Sequence, residues 1–207
     1  MKKAASLLAL LCIVACNQQK DTFTDTRDGK TYKTTKIGEQ VWMAENLNYE
    51  VKGGSRCHND SISYCDKYGR LYDWTRAMEA CPKGWHLPSD AEWDKLYRYV
   101  DGDKGTESRY DDSKMAGKYL KATSGWNDYE GKSGNGENTY GFSALPGGSG
   151  YSGGSFNDNV GNEGIWWSAS EYNGSYSYYR FMYYSNEGVL WSSFSKSFLF
   201  SVRCVQD

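Results

Sequence analysis

The first regular pattern in the chain is a pair of β-prone runs, Thr31–Ile37 and Gln40–Met43, separated by the dipeptide Gly38-Glu39. A glycine-containing dipeptide between two such runs is typical of a hairpin turn. Residues 50–64, which include Gly53-Gly54, then predict a loop. We therefore expect the fold to open with a β-hairpin that is followed by a loop.

Apolar residues at helical spacing predict two main helices further along the chain. In the first, Leu71, Trp74, Ala77 and Met78 recur at this spacing, and Pro82 limits the run because proline cannot extend a helix.

The second helix has a clear start signal at Ser89-Asp90-Ala91-Glu92. This is the pattern of a capping box, in which the serine accepts from the amide of Glu92 and the glutamate reaches back. Residues 112–121 predict a third, shorter helix. One apolar stripe follows the capping box and is expected to face the core: Trp93, Leu96, Tyr97 and Val100.

The second half of the chain first becomes rich in glycine and then strand-like. Residues 124–164 predict a long ordered loop. Turn signals at Asn173-Gly174 and Glu187-Gly188 predict that the strands after it form an antiparallel meander. The predicted strands are residues 165–170, 176–184, 189–193 and 197–205.

The last of these strands should place one set of its side chains inward. By the two-residue period of a strand, Phe198, Phe200, Val202 and Cys204 share one face. The whole pattern predicts an α+β domain, with an antiparallel sheet, two main helices and long ordered loops.

The first sixteen residues have the pattern of a bacterial lipoprotein signal. Lys2 and Lys3 precede a short apolar stretch, and Ile13-Val14-Ala15-Cys16 ends it with small residues before a cysteine. The stretch is too short to span a bilayer as a helix. We therefore predict a signal peptide over residues 1–15 and lipidation of Cys16, the alternative being a plain secretory signal.

These assignments divide the chain into three parts. Residues 16–28 hold the lipidated cysteine and a polar tether, and residues 29–207 form one domain of ordinary size. Loss of the signal peptide changes the formal charge from −2 to −4, because two lysines leave with it. Basic residues are scattered among acids, so no nucleic-acid partner is expected.

Four cysteines remain after the signal region, and they predict two disulfides in an oxidising compartment: Cys57, Cys65, Cys81 and Cys204. Three pairings are possible. The favoured one joins Cys57 to Cys65 in a short loop and Cys81 to Cys204 across most of the domain. A zinc site made of the four thiols is the alternative, but no C-x-x-C pair occurs.

Five segments resemble a known family. They begin with Tyr68-Gly69-Arg70-Leu71-Tyr72-Asp73-Trp74 and Cys81-Pro82-Lys83-Gly84-Trp85-His86-Leu87-Pro88-Ser89-Asp90-Ala91-Glu92-Trp93, and they end with Phe200-Ser201-Val202-Arg203-Cys204-Val205. Between these lie Tyr140-Gly141-Phe142-Ser143-Ala144-Leu145-Pro146-Gly147-Gly148 and Trp166-Trp167-Ser168-Ala169-Ser170. Over residues 25–207 the chain is similar to the Fibrobacter succinogenes major paralogous domain. The resemblance implies a secreted or surface-attached domain, often on lipoproteins.

The same segments are more distantly similar to the superfold of C-type lectins and the formylglycine-generating enzyme. That resemblance implies a helix opened by the Leu-Pro-x-x-Ala-Glu-Trp segment at Leu87 and a bridge from the first helix region to the last strand. It implies no particular activity, because one fold hosts many functions.

Aromatic side chains are the main candidates for binding. Thirteen of the 35 residues from Trp166 to Phe200 are aromatic. Tyr176 and Tyr178 alternate with Tyr179, Phe181 and Tyr183, so both faces of one strand carry rings. Exposed rings suit the flat faces of sugars and also protein interfaces. The candidate ligand-binding residues are Trp126, Tyr151, Trp167, Tyr172, Tyr176, Tyr178 and Trp191.

Catalytic and metal-binding signals are weak. Of the two histidines, His86 suits a structural hydrogen bond, and no Gly-x-Ser-x-Gly elbow occurs. The acidic loops lack a complete calcium pattern, so they are expected to be solvated turns. We expect no enzyme activity, no metal and no cofactor, although two carboxylates meeting across a cleft would suit a glycan hydrolase.

Three functions agree with these features. The first is a surface-anchored adhesion module for plant-type polysaccharide such as cellulose, which the resemblance suggests. The second is a structural or protein-interaction lipoprotein of the envelope, and the third is the hydrolase. The expected location is the cell envelope, at the outer membrane or cell surface, with the membrane contacted through the lipid anchor.

Overall fold

Four α-helices and twelve β-strands form from the residues that the computed structural model describes, which are 21–102, 114–151 and 153–207. The predicted signal peptide and Cys16 lie outside them. The helices are α1 (Ile62–Tyr68), α2 (Trp74–Ala80), α3 (Asp90–Val100) and α4 (Ala116–Leu120). The strands are β1 (Thr22–Thr24), β2 (Thr31–Ile37), β3 (Gln40–Met43), β4 (Ser55–Arg56), β5 (Leu71–Tyr72), β6 (Trp85–His86), β7 (Gly150–Tyr151), β8 (Glu163–Glu171), β9 (Tyr176–Tyr183), β10 (Leu190–Ser195), β11 (Phe198–Ser201) and β12 (Val205–Gln206).

The strands make two open sheets that are mainly antiparallel. The first has the order β1-β2-β3-β12-β6, and the second has the order β10-β9-β8-β11-β5-β4, with β7 paired to β11. The exception in direction is β11, which runs parallel to β8 where Ser201 lies opposite Trp166. The predicted α+β class is confirmed.

The predicted opening hairpin is confirmed, but the folded part begins before it. Strands β2 and β3 pair with Ile37 opposite Gln40. Strand β1 lies in the stretch that the sequence assigned to the tether, yet it pairs with β2. Asp25 is also fully buried and paired with Arg27 at 2.7 Å. The tether prediction for residues 22–28 was therefore wrong, because these residues add a strand and an ion pair to the first sheet.

Helix α3 confirms the capping-box prediction. The side chain of Ser89 accepts from the amide of Glu92, and the Glu92 carboxylate accepts from the amide of Ser89 at 2.7 Å. The predicted apolar stripe is buried. Helix α4 lies within the predicted third helix, of which residues 112 and 113 are outside the described part.

The region before α3 differs from the prediction at both of its helices. Helix α2 begins at Trp74, because the side chain of Asp73 caps it by accepting from the amide of Arg76. Leu71 is in β5 instead, and Met78 is exposed, so the predicted stripe was wrong at its two ends. Helix α1 starts in the predicted loop, where the Cys57–Cys65 disulfide holds it.

The predicted meander is correct for three strands and wrong for the last. Strands β8, β9 and β10 are antiparallel neighbours. The predicted strand 197–205 is two strands, and β11 lies between β8 and β5 rather than beside β10. Residues 202–204 cross from one sheet to the other, and both of their faces are buried.

Both favoured disulfides are present. Cys57 is bonded to Cys65, and Cys81 is bonded to Cys204, 123 residues away. The long bridge ties the end of α2 to the segment between the two sheets, where the chain passes from one apolar cluster to the other.

Arg203 organises this crossing segment. Its guanidinium is fully buried and donates to Oδ1 of Asn46 at 2.7 and 3.0 Å, and to the carbonyls of Met43 and Phe142. The indole of Trp166 donates to the same Asn46 oxygen at 2.8 Å. Because burial disfavours its charge, the pKa of Arg203 falls to about 9. The arginine thus satisfies backbone acceptors from two separated segments and the side-chain oxygen of Asn46.

Candidate binding surface

Strand β9 carries aromatic residues on both faces. Because successive side chains of a strand point to opposite sides, Tyr179, Phe181 and Tyr183 share one face, and Tyr176 and Tyr178 share the other. The two faces have different neighbours, so they are described in turn.

On the first face, six rings form a continuous line, which we call the aromatic row: Tyr151, Phe198, Phe194, Tyr179, Phe181 and Tyr183. Neighbouring ring centroids are separated, in that order, by 4.5, 4.2, 6.3, 5.4 and 5.2 Å. These are the separations of favourable aromatic pairs. The row therefore crosses the sheet from β7 to β9 without a break.

The row is flanked by two buried rings on the same face of the sheet. Phe200 lies beside Tyr179 with ring centroids 5.1 Å apart, and Trp167 lies 4.3 Å from Phe200. On β10, Phe194 lies opposite Ser177, a small residue. These buried neighbours and the strand register fix the direction of the rings, so the row needs little ordering before it binds.

Three rings of the row remain open to solvent. Tyr151 is 39% exposed, Tyr183 37% and Phe194 38%, and the other three are partly buried. Contiguous apolar patches on a soluble domain commonly mark interaction sites. The row is therefore the strongest candidate contact surface in the described part of the chain.

A carboxylate marks one end of the row. Glu163 lies opposite Tyr183 in the register of β8 and β9, and it is hydrogen-bonded to the side chain of Asn159. Burial raises the pKa of Glu163, and a hydrogen bond from Tyr183 opposes this rise. Burial and the nearby Glu163 carboxylate raise the pKa of Tyr183, which keeps its hydroxyl protonated as a donor.

The second face of β9 holds a smaller aromatic set, which we call the opposite group: Tyr172, Tyr176, Tyr178 and Trp191. Tyr178 lies 5.4 Å from Tyr172 and 5.6 Å from Trp191 between ring centroids. This face also carries Arg180, which is buried and pairs with Asp90 and Asp94 of α3 at 3.0 Å each. Packing against α3 therefore takes up part of this face.

The structure corrects two of the candidate ligand-binding residues. Trp126 and Trp167 are buried, and their indoles donate to the carbonyls of Ala144 at 3.0 Å and Tyr72 at 2.8 Å. Both are core residues because their rings and their polar atoms are already satisfied inside the protein. Tyr151 is in the aromatic row, and the remaining four candidates form the opposite group.

Five rings of the row were missed by sequence reasoning: Tyr179, Phe181, Tyr183, Phe194 and Phe198. The two-residue period from Tyr179 to Tyr183 was visible in the sequence. The sequence did not indicate which of the two faces of strand β9 would be covered by helix α3.

The two histidines are held in structural contacts. His86 lies between Asp207 at 2.7 Å and Glu92 at 2.6 Å, so carboxylates occupy both of its ring nitrogens. Burial lowers the pKa of His86, but the two hydrogen-bonded carboxylates raise it above its ordinary value. His58 is buried, and its Nε2 bonds to the carbonyl of Asn157 at 3.0 Å.

Metal and membrane features were sought in the same described residues. There, no three or more His, Cys, Asp or Glu side chains come together as a metal site would require. No helix in that part of the chain has both the length and the apolar character needed to cross a membrane.

Comparison with known proteins identifies a family. The family model described as the Fibrobacter succinogenes major domain matches residues 35–206. No curated protein and no solved structure matches the chain.

Proposed function

The chain belongs to the Fibrobacter succinogenes major domain family, and we propose that it is a lipid-anchored module of the cell surface that adheres to polysaccharide through its aromatic row. The observation that carries this proposal is the unbroken line of six rings, three of which are open to solvent. Flat apolar faces of sugar rings stack well on such surfaces.

The chemistry of the row suits a neutral polymer better than a charged one. Its rings are phenylalanines and tyrosines, and the carboxylate that contacts it is Glu163 at one end. Tyrosine hydroxyls at both ends, on Tyr151 and Tyr183, supply hydrogen bonds for sugar hydroxyls. A neutral polysaccharide such as cellulose offers both flat faces and hydroxyl edges, so it is the proposed ligand.

The proposed attachment is a lipid on Cys16, as the signal pattern of residues 1–16 indicates. Lipid chains give stable anchoring only when two or more act together, which a lipoprotein amino terminus would provide. Strand β1 begins at Thr22, so about five residues would separate the anchor from the first sheet. We place the domain at the outer membrane or cell surface.

The proposed fold family is that of C-type lectins and the formylglycine-generating enzyme. The long bridge from the end of α2 to Cys204 and the opening of α3 by Leu87-Pro88-Ser89 support it. We propose binding without catalysis, because the contacts of His86 leave neither ring nitrogen to exchange a proton with a substrate.

The test is depletion of a soluble fragment, residues 21–207, by microcrystalline cellulose and a panel of insoluble glycans. This range includes every described helix and strand and both disulfides. We expect specific retention on at least one neutral glycan, which a chelator of calcium leaves unchanged. Failure of every glycan to retain the fragment would contradict the proposal.

One observation favours a protein-interaction function as the second candidate. Strand β10 lies at the edge of its sheet and has no charged residue among its six. Edge strands are usually protected by charges or proline, and unprotected edges accept a strand from another protein. Co-purification of a stable partner, without retention on any glycan, would support this function.

A further inference from the structure

A cavity of about 330 Å³ lies apart from the aromatic row, between α4, residues 129–135 and residues 184–187. Its volume is at the lower end of the range for small-molecule sites. Three lysines line it, Lys118, Lys121 and Lys132, together with one acid, Glu187. The walls also include two tyrosine rings, Tyr129 and Tyr184, whose centroids are 5.4 Å apart.

Local backbone geometry makes one wall of this cavity rigid. Tyr129 and Lys132 exchange two backbone hydrogen bonds of 2.8 and 2.9 Å, and both residues between them, Glu130 and Gly131, have positive φ. This is the geometry of a tight type I′ turn, which glycine at the second position favours. Lys132 is thus held at a fixed place on the rim.

The second wall is fixed by close packing. Gly134 has no room for a Cβ atom, because the carbonyl of Asn127 and Tyr184 lie against it. Next to it, the amides of Gly136 and Glu137 donate to the carbonyls of Ala122 and Lys118 at 2.9 and 2.7 Å. The cavity is therefore a built feature of the fold rather than a gap between loose loops.

The lysines of the cavity are only partly neutralised. Lys118 pairs with Glu137 at 3.4 Å and with Glu187 at 3.9 Å. Lys121 is buried, and its ammonium group donates to the carbonyls of Tyr183 and Asn186 and lies 4.6 Å from the Trp126 ring. No carboxylate of the described residues is within salt-bridge distance of Lys121 or Lys132. Among these residues, Lys132 therefore has no acidic partner, and the charge of Lys121 is held by backbone carbonyls and by the more distant Glu187.

We propose that this cavity binds a carboxylated sugar unit, such as the uronic acid of an acidic polysaccharide. The carboxylate would lie against Lys132 and in the field of Lys121, since a buried cation without a counter-charge is costly and an anion relieves that cost. Tyr129 and Tyr184 present ring surface for the sugar, and Asn135 and Ser133 supply polar groups for its hydroxyls. The site does not depend on the aromatic row, so either proposal can fail alone.

The protonation of Lys121 supplies a signature of the site. Burial lowers the pKa of Lys121 to about 8, and the charge of Glu187 opposes this shift. The other charged groups facing it are Lys118 and Lys132, and the tyrosines facing it are Tyr129 and Tyr184. Because a bound anion favours the ammonium form, affinity should fall as the pH rises from about 7 to about 9.

The experiment titrates the full-length chain in detergent with sodium galacturonate and, separately, with galactose, which lacks the carboxylate. We expect saturable calorimetric binding of galacturonate, weaker at the higher pH, and no binding of galactose. Lys132→Gln should weaken galacturonate binding at least about tenfold, since one charge-assisted contact is lost. Lys36→Gln, at an exposed lysine of β2, should leave galacturonate binding unchanged.

Three outcomes would overturn the site: no galacturonate binding, equal binding of galactose, or equal loss in the two variants. Lys132 is chosen for substitution because it lies on the rim, whereas loss of the buried Lys121 would leave the carbonyls of Tyr183 and Asn186 without this donor. Retention on neutral glycans belongs to the aromatic row and should be the same in Lys132→Gln as in the unchanged protein.

Discussion

Around Trp42 the aromatic rings are closed into the core, whereas along the aromatic row the same kind of side chain remains partly in water. Trp42 lies 4.9 Å from Trp93 and 5.7 Å from Phe142 between ring centroids, and all three rings are buried. The row has similar ring separations. The two regions therefore differ in what covers them and not in how their rings touch.

Because of this difference, we expect the Trp42 region to contribute mainly to stability and the aromatic row mainly to binding. Helix α3 covers the Trp42 region, β12 pairs with β3 beside it, and Arg203 stacks over Phe142 at 4.5 Å. Changes there should lower the free energy of unfolding. In the row, the three open rings are 37–39% exposed, so their removal should lower binding and should cost less stability than removal of a fully buried ring.

The largest expected effect is the loss of the long disulfide, which holds the Trp42 region to α2. In the chain-entropy model, Cys81→Ser with Cys204→Ser should cost on the order of 4–5 kcal/mol, because the bridge closes a long loop. The matched control, Cys57→Ser with Cys65→Ser, should cost roughly 2–3 kcal/mol, because its loop is short. Denaturant unfolding of both variants checks this order, and equal losses would contradict it.

Arg203 should give the next largest effect. Arg203→Met leaves the carbonyls of Met43 and Phe142 without their donor, at a cost of about 1–3 kcal/mol for each unsatisfied acceptor. Arg203→Lys keeps the charge but loses the planar fork, so it should be intermediate. Arg98→Met, at an exposed arginine of α3, should change the free energy of unfolding by less than about 0.5 kcal/mol. A similar loss in Arg98→Met would show that Arg203 has no special role.

The elements that the sequence predicted well are those with local signals. The β2–β3 hairpin follows from its turn dipeptide, and α3 follows from the Ser89–Glu92 capping box and its apolar stripe. Helix α1 was missed because a disulfide holds it, rather than a long apolar stripe. The break between β11 and β12 was missed because burial on both faces of residues 202–204 reflects packing between sheets, which no local pattern encodes.

The binding surface could be predicted only in part for a similar reason. The aromatic content of residues 166–200 indicated a ring-rich sheet, and the candidate Tyr151 is 39% exposed. Trp126 and Trp167 have the same residue type as the candidate Trp191, which is only partly buried, but the carbonyls that receive their indole hydrogens come from distant segments. Burial of an individual ring is decided by such tertiary contacts.

A smaller effect is expected from the pH dependence of the free energy of unfolding, through His86. Its side chain contacts Asp207 and Glu92, the latter in α3. The pKa of His86 is higher in the folded state than in the unfolded state, where it is about 6.5. The protonated imidazole therefore stabilises the fold fully below about pH 6.5, and this stabilisation is lost as the pH rises through the folded-state pKa. The side chain is 40% exposed, so solvent screening should keep the contribution under about 1 kcal/mol. His86→Gln should remove this part of the pH dependence in denaturant unfolding, and an unchanged profile would contradict the assignment.

The measurement that tests the central claim most directly compares two triple variants of the fragment 21–207 for cellulose retention and thermal midpoint. The row variant carries Tyr151→Ala, Tyr183→Ala and Phe194→Ala, and the control carries Tyr99→Ala, Tyr172→Ala and Tyr176→Ala, at three tyrosines outside the row that are at least as exposed. At about 1 kcal/mol for each ring, the row variant should lose on the order of 100-fold in affinity while remaining folded at the assay temperature, although its midpoint should fall. The control should bind like the unchanged fragment. Equal retention by both variants, or loss of retention only in the control, would contradict the account.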